Sequence, residues 1–202
     1  MVPDVETIKK LHQKYAEFAP KPGLFELVWE HCQVVGEIAL ACAEKLEEPV
    51  DRKLLYAAAL LHDVGTYPFF DRNGQATGKS FYPIHGILGA KIVLDEGFDP
   101  RIAQMIETHV LMGLTKDEIV HPTGRHWPLP ARDYVPQTIE AELLCYADRF
   151  HSKAPQFNSY ETFQARLQET LPEQAKKFEA AKERFGLPDL EALAQKYPAP
   201  IV

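Results

Sequence analysis

The sequence is short of cysteine, of long apolar runs and of positive charge. Its three cysteines, Cys32, Cys42 and Cys145, form no CxxC pair, and so sparse and odd a set supplies no disulfide framework, which points to a reducing, cytoplasmic setting. No stretch approaches the ~18 consecutive apolar residues of a membrane span. The opening MVPDVETIKK mixes acid and base with no apolar segment behind it, so neither a span nor a secretion signal is expected. Lysine and arginine total 22 against 29 aspartates and glutamates, a net charge of −7. Such a field repels polyanions and opposes sequence-independent binding to DNA or RNA; an anionic substrate needs a local positive centre.

Sustained period-two alternation is also missing, and helical spacing dominates, which predicts an all-α fold. With 202 residues, 46% of them hydrophobic and 25% charged, the chain is expected to form one domain over 1–202 with a real core. Over residues 24–46, Leu24, Leu27, Val28, Val34, Val35, Ile38, Ala41, Cys42 and Leu46 recur at three- and four-residue steps, and His31 lies on that stripe. The run LLYAAALL is apolar all round and predicts a central helix, with Asp51 as N-cap and Gly65 as its stop. Helical spacing returns over 84–94, over 100–111 behind Asp99-Pro100, and over 139–150. Residues 66–83 and 113–136, rich in proline and turn residues, read as two long loops. Beyond Pro155 a charged amphipathic pattern sets Ala175, Phe178, Ala181 and Phe185 on one seam that ends at Gly186, as core cover or as the contact of a homodimer.

Six residues with metal-ligand chemistry fall on apolar faces or at the ends of these helices: His31, His62, Asp63, His85, His109 and Asp148. His62 follows Leu55, Ala58 and Ala59 by seven, four and three positions, and His109 and Asp148 follow apolar residues at the same steps. An inward Asp or His costs several kcal/mol unless it is paired or coordinated, and a shared metal site resolves all these costs together. The pair His62-Asp63 closes an apolar helix, where the macrodipole favours a bound cation. Each histidine taken singly is more often a hydrogen-bonded core residue than a ligand.

The order His31 in LVWEHCQVVGEIA, His62-Asp63 in LLHDVGT and Asp148 in LLCYADRF resembles the H…HD…D pattern of the HD-domain metal-dependent phosphohydrolase superfamily. His85 in YPIHGILGAKIV and His109 in IETHVLMG resemble the two extra histidines of its binuclear H…HD…H…H…D branch. The resemblance implies a helical bundle with long loops over a central metal site, an HD core over 24–151 and a helical C-terminal extension over 152–202. It implies two divalent ions, Fe, Mn, Mg, Co or Ni, one held by His31, His62, Asp63 and Asp148, the second by His85 and His109, with Asp63 bridging and orienting a water. One departure stands out: many relatives have HD-x-G-Lys, and Thr66 replaces that lysine.

Arg72 and Lys79 in the first loop, Arg125 and Arg132 in the second, and Arg149 beside Asp148 are candidates for clamping a phosphorylated small-molecule substrate, Lys79 and Arg125 first. His121, His126 and Trp127 are candidates for a pocket wall, and His151 for a neighbour of the site that orients a ligand or moves a proton. His12 reads as surface and the cysteines as core. The expected activity is hydrolysis of a phosphate ester or anhydride in a nucleotide or related phosphometabolite, with no nucleic-acid polymer and no membrane as partner. Two alternatives accompany it. The same six ligands occur in a smaller HD branch resembling di-iron oxygenases that act on phosphonates or polyols, and the missing lysine suits a nucleotide-binding regulatory module with little turnover.

Overall fold

The computed structural model describes residues 1–17, 23–69, 82–121 and 126–202. Ten α-helices dominate these residues, and most begin on a side chain suited to cap them. Asp4 accepts from the Thr7 amide at 2.8 Å to open α1 (Val5–Ala16), and Asp51 accepts from Leu54 at 3.0 Å to open α3 (Arg52–Leu61). Between them runs α2 (Leu24–Ala43), entered through Gly23 at φ 81°. Helix α4 (His85–Asp95) is followed by α5 (Pro100–Thr108), which starts with Asp99 as cap and Pro100 in its first turn. A short α6 (Lys116–Val120) sits on a Thr115/Glu118 capping box, and Thr138 caps α7 (Ile139–Ala147). The chain closes with α8 (Tyr160–Thr170), α9 (Pro172–Phe185) and α10 (Leu190–Lys196).

Helix α3 is the centre, packed by α1, α2, α5 and α7, and Leu55, Ala58, Ala59, Leu60 and Leu61 are wholly buried in it. The seam on α9 closes over α7: Phe178 meets Tyr146 at 5.4 Å and Phe150 at 5.7 Å between ring centroids, and Gly186 at φ 70° ends the helix. Cys32, Cys42 and Cys145 are free and buried, acting as small core residues. No helix among the described residues is long and apolar enough to cross a membrane.

The structure departs from the expected pattern at four places. Helix α5 stops at Thr108 rather than near 111, because the chain turns through Leu111 at φ 56° and Gly113 at φ 80°. Helix α6 interrupts the second loop, whose ends are tied by an antiparallel bridge between Leu114 and Tyr134. After α7, one 3₁₀ turn (Asp148–Phe150) leads into a hairpin of β1 (His151–Ser152) and β2 (Gln156–Phe157), strands too short to show alternation in a sequence. His12 is a core residue and not a surface one. Its Nε2 donates to the Leu60 carbonyl at 2.8 Å, so its Nδ1 accepts from the Tyr67 hydroxyl, also at 2.8 Å.

Glycine sets how closely α4 approaches the turn after α3. A Cβ on Gly65 would lie 2.3 Å from the His85 carbonyl oxygen and 2.4 Å from the Gly89 nitrogen, so only glycine lets α4 settle there. Gly65 therefore serves close packing, three residues beyond the helix end at His62, more than it serves as a helix stop.

Candidate metal centre

Each of the six expected ligands is delivered by a helix or its end. His31 is inside α2, where its neighbours Val28, Val34, Val35 and Ile38 are wholly buried; His62 is the C-terminal cap of α3, and Asp63 follows it. His85 opens α4, His109 caps the end of α5, and Asp148 caps the end of α7. Four of the six therefore sit where a helix presents its negative end, a potential that favours a cation.

Three imidazoles are locked by carbonyls that can only accept. The Nδ1 of His62 donates to Ala59 at 2.7 Å, that of His85 to Tyr82 at 2.6 Å and that of His109 to Ile106 at 2.6 Å. Each Nε2 is then a lone pair unless it takes a second proton. His85 Nε2 and His109 Nε2 stand 2.9 Å apart, and His62 Nε2 and His31 Nε2 3.2 Å apart. His85 and His109 both donate from Nδ1, so their facing Nε2 atoms need a positive charge between them, either a proton or a metal ion.

Asp63 joins the two pairs. Its Oδ2 lies 3.2 Å from the Nε2 of both His31 and His62, and its Oδ1 lies 3.2 Å from the Nε2 of His85. Asp148 Oδ1 completes the first pair, 3.1 Å from His31 and 3.4 Å from His62, while Arg149 holds Oδ2 of the same carboxylate. Ligand atoms of His31, His62 and Asp63, of Asp63, His85 and His109, and of His62, His109 and Asp148 each fall within 4.8 Å of one another, so the six form one continuous cluster. Asp63 is fully buried, and neither oxygen receives a hydrogen bond of good geometry. A buried carboxylate left in this way fits a dication, and the donor set of imidazoles and carboxylates fits Fe, Mn, Co, Ni or Zn.

The electrostatics agree. Burial pushes the Asp63 carboxyl up, but Lys153 and His62 outweigh it and hold Asp63 well below the usual carboxylate range. Burial acts the same way on Asp148, where Arg149 and the two histidines prevail. Burial, with His85 and His62 adding to it, keeps His109 neutral by holding it well below its ordinary value. His151 is driven down to about 3 by burial and by His31, whose Nδ1 lies 3.0 Å from its own Nδ1.

A cavity of about 670 Å³ opens over these groups, walled by His31, His85, His109, Asp148, Trp127 and Tyr82 among others. Arg149 and His151 line it as well; Arg132 does not, because Glu107 holds its guanidinium through two hydrogen bonds over the Tyr134 ring. His121 and His126 are exposed and absent from the wall. Arg72, Lys79 and Arg125 lie outside the described residues. Two cations that sequence reasoning passed over, Lys153 and Arg166, line the cavity. Lys153 Nζ is 2.5 Å from Asp63 Oδ2. Nothing periodic marks that lysine; its one signal is its place five residues after Asp148, in the segment leaving the site.

The stretch that carries the cluster matches a known family. A family model described as "HD domain" matches residues 28–153, which hold all six candidate ligands and end on the lysine. The chain belongs to the HD-domain family. A tRNA (cytidine(56)-2'-O)-methyltransferase of Picrophilus torridus is 33% identical over 127 residues, 63% of this chain and 32% of that protein. An uncharacterized protein of Methanocaldococcus jannaschii is 35% identical over 127 residues, 61% of this chain and 65% of its own length. This HD chain thus spans about a third of the methyltransferase and under two thirds of the other relative. Among solved structures, the HD domain of the Listeria monocytogenes phosphodiesterase PgpH in complex with cyclic-di-AMP superposes with a TM-score of 0.56 at 15% identity, covering 93% of this chain and 97% of that one. At that identity the likeness concerns the fold, an all-α HD domain.

Proposed function

We propose that this HD domain is a metal-dependent phosphohydrolase that cleaves an ester or anhydride bond in a small phosphorylated molecule, a nucleotide or related phosphometabolite. The observation that carries the reading is the charge balance around Asp63. Asp63 faces Lys153, and Asp148 faces Arg149, so these four groups are neutral as a set. Asp148 is the one acid among the described residues lining the cavity, which Arg149, Lys153 and Arg166 also line. Every divalent ion added brings two positive charges with no further carboxylate to meet them, and an anionic group such as a phosphoryl group restores the balance. This is the local positive centre that a chain of net charge −7 requires for an anionic substrate.

His31, His62, Asp63 and Asp148 would hold one ion, and His85 and His109 a second, with one oxygen of Asp63 turned to each. Bound there, such ions lower the pKa of a water and neutralise a phosphoryl oxygen. The chain itself orients the ligands: backbone carbonyls fix three histidine tautomers, Arg149 holds Asp148, and His151 Nδ1, 3.0 Å from His31 Nδ1, would accept from it when His31 Nε2 serves as a ligand. A cavity of about 670 Å³ suits a small molecule. The PgpH domain solved with cyclic-di-AMP supports a small phosphorylated ligand. A tRNA substrate is opposed by the net charge and by the partial match to the methyltransferase. Arg72, Lys79 and Arg125 remain proposed contacts from the two loops, and Arg166 joins them.

The test is phosphate release from nucleotides and phosphomonoesters by protein reloaded singly with Mn, Mg, Fe, Co or Ni. Turnover with at least one ion, lost in Asp63→Asn, is expected. Oxygen uptake with reduced iron and no phosphate release with any ion overturns the hydrolase reading.

A further inference from the structure

Lys153 is the unexplained member of the site. Its side chain is 18% exposed, its Nζ lies 2.5 Å from Asp63 Oδ2, and that oxygen also faces His31 and His62 at 3.2 Å. The ammonium therefore stands against an atom that a metal in the His31 group would need. Thr66, in the place where many relatives carry a lysine, is fully buried and donates its hydroxyl to Tyr82 at 2.9 Å, so it offers no cation. Lys153 Nζ sits 5.5 Å from the centroid of that same Tyr82 ring. The positive charge thus reaches the region from the hairpin rather than from the HD turn.

The hairpin's base is tied down by hydrogen bonds, whereas Lys153 is held at its tip, through its ammonium. Asn158 donates its side-chain amide to the Arg149 carbonyl at 2.9 Å, and the amides of Phe157 and Ser159 bond to the carbonyls of Pro200 and Val202 at 2.8 and 2.7 Å. From this anchored base a flexible four-carbon stem can carry Nζ away from Asp63 with no change in the backbone. A dication at Asp63 repels the ammonium and takes its partner oxygen. The cavity wall that Lys153 already shares with Arg149 and Arg166 is where the displaced ammonium can go.

We propose that Lys153 is an exchangeable cation: it neutralises Asp63 in the metal-free protein, and once metal replaces it there, it binds an anionic oxygen of the phosphoryl group in the cavity. The substrate half rests on the phosphohydrolase reading; the metal half does not. The exchange forms and breaks ionic contacts only, with no covalent step.

Lys153→Met and Lys153→Arg test it, with Mn(II) and inorganic phosphate as probes. Lys153→Met should melt below the parent without metal, having stripped Asp63 of its cation, and should bind Mn(II) about tenfold more tightly in competition with a chelator. Its Mn(II)-loaded form should bind phosphate on the order of tenfold more weakly, the size of one charge-assisted hydrogen bond, and Lys153→Arg should restore phosphate binding. Unchanged or weaker Mn(II) binding by Lys153→Met, with the parent's metal-free melting, overturns the competition at Asp63. Tighter Mn(II) binding with unchanged phosphate affinity overturns the exchange, leaving a lysine that serves Asp63 alone. Both readouts are independent of turnover: if the parent hydrolyses no phosphate ester or anhydride yet shows both effects, the hydrolase reading fails, the movement of Lys153 between Asp63 and a bound anion stands, and only the naming of that anion as a substrate's phosphoryl group falls.

Discussion

Replacing Asp63 by asparagine should erase the stabilisation that metal gives this protein while changing the metal-free protein little. Asp63 is wholly buried, and its two oxygens face different histidine pairs at 3.2 Å. Asparagine keeps the shape and one oxygen. It removes the charge shared by both pairs and turns an amide NH₂, which cannot ligate, toward a histidine nitrogen. The first position then keeps His31, His62 and Asp148, and the second is left with the imidazoles of His85 and His109 alone. For the parent, an ion at a hundred times its dissociation constant stabilises by about 2.7 kcal/mol per site. In a chain of this size 1 kcal/mol moves the melting temperature by roughly 2–4 °C, so a rise of about 5–11 °C per site is expected. Asp63→Asn should rise by less than about 2 °C at the same concentration. Without metal the two should melt close together, because the variant no longer buries a charge and Lys153 is free to turn toward the cavity. Thermal melting with and without Mn(II), beside metal analysis, reads all of this. A full parental rise in Asp63→Asn, with two ions retained, shows Asp63 to be an ordinary helix-end carboxylate and refutes the bridging account.

Three further outcomes follow from the packing. His31→Ala should keep part of its metal response, since Asp63, His62 and Asp148 stay in place; a response as small as that of Asp63→Asn contradicts the division into two positions. Gly65→Ala should lower stability by about 3 kcal/mol or more, because its Cβ meets the backbone of α4 at 2.3 Å, and melting within 2 °C of the parent would contradict that. His12 is held down to about 4, by burial before any other cause. Its unfolded value near 6.5 means that the unfolded chain binds the extra proton between those values, so its stabilisation is complete above pH 6.5 and is lost as pH falls toward 4. The stability gap between the parent and His12→Gln should therefore narrow by about 3 kcal/mol from pH 7 to pH 4 in denaturant titrations, and a gap constant with pH sinks the assignment.

The all-α fold and the meeting of the six candidate ligands were legible because both depend on local pattern. Helix caps such as Asp51 and Asp99 announce themselves within four residues, and a histidine flanked by Val28 and Val35 at helical steps must face the core. Lys153 was not legible. It becomes part of the site only because a two-residue strand folds it back onto Asp63, 90 positions earlier, and so short a strand carries no periodic signal. Arg132 looked available because nothing local showed that Glu107, 25 residues before it, would hold its guanidinium. His12 is hidden for a different reason: it sits among lysines and glutamine, yet it follows Ile8 by four and Leu11 by one, and these three are the buried face of α1. That spacing was in the sequence, and the polar surroundings outweighed it. Gly65 kept its place but changed its reason, from ending a helix to admitting another against it.

The central claim is that Asp63 joins two metal positions, and metal counting on His85→Ala tests it most directly. His85 touches the cluster only through Asp63 Oδ1 and His109, 3.2 and 2.9 Å away, so its loss should empty one position and spare the other. Parent protein saturated with Mn(II) and passed free of excess metal should carry close to two ions per chain, and His85→Ala close to one. A parent holding a single ion that His85→Ala retains in full would contradict the account.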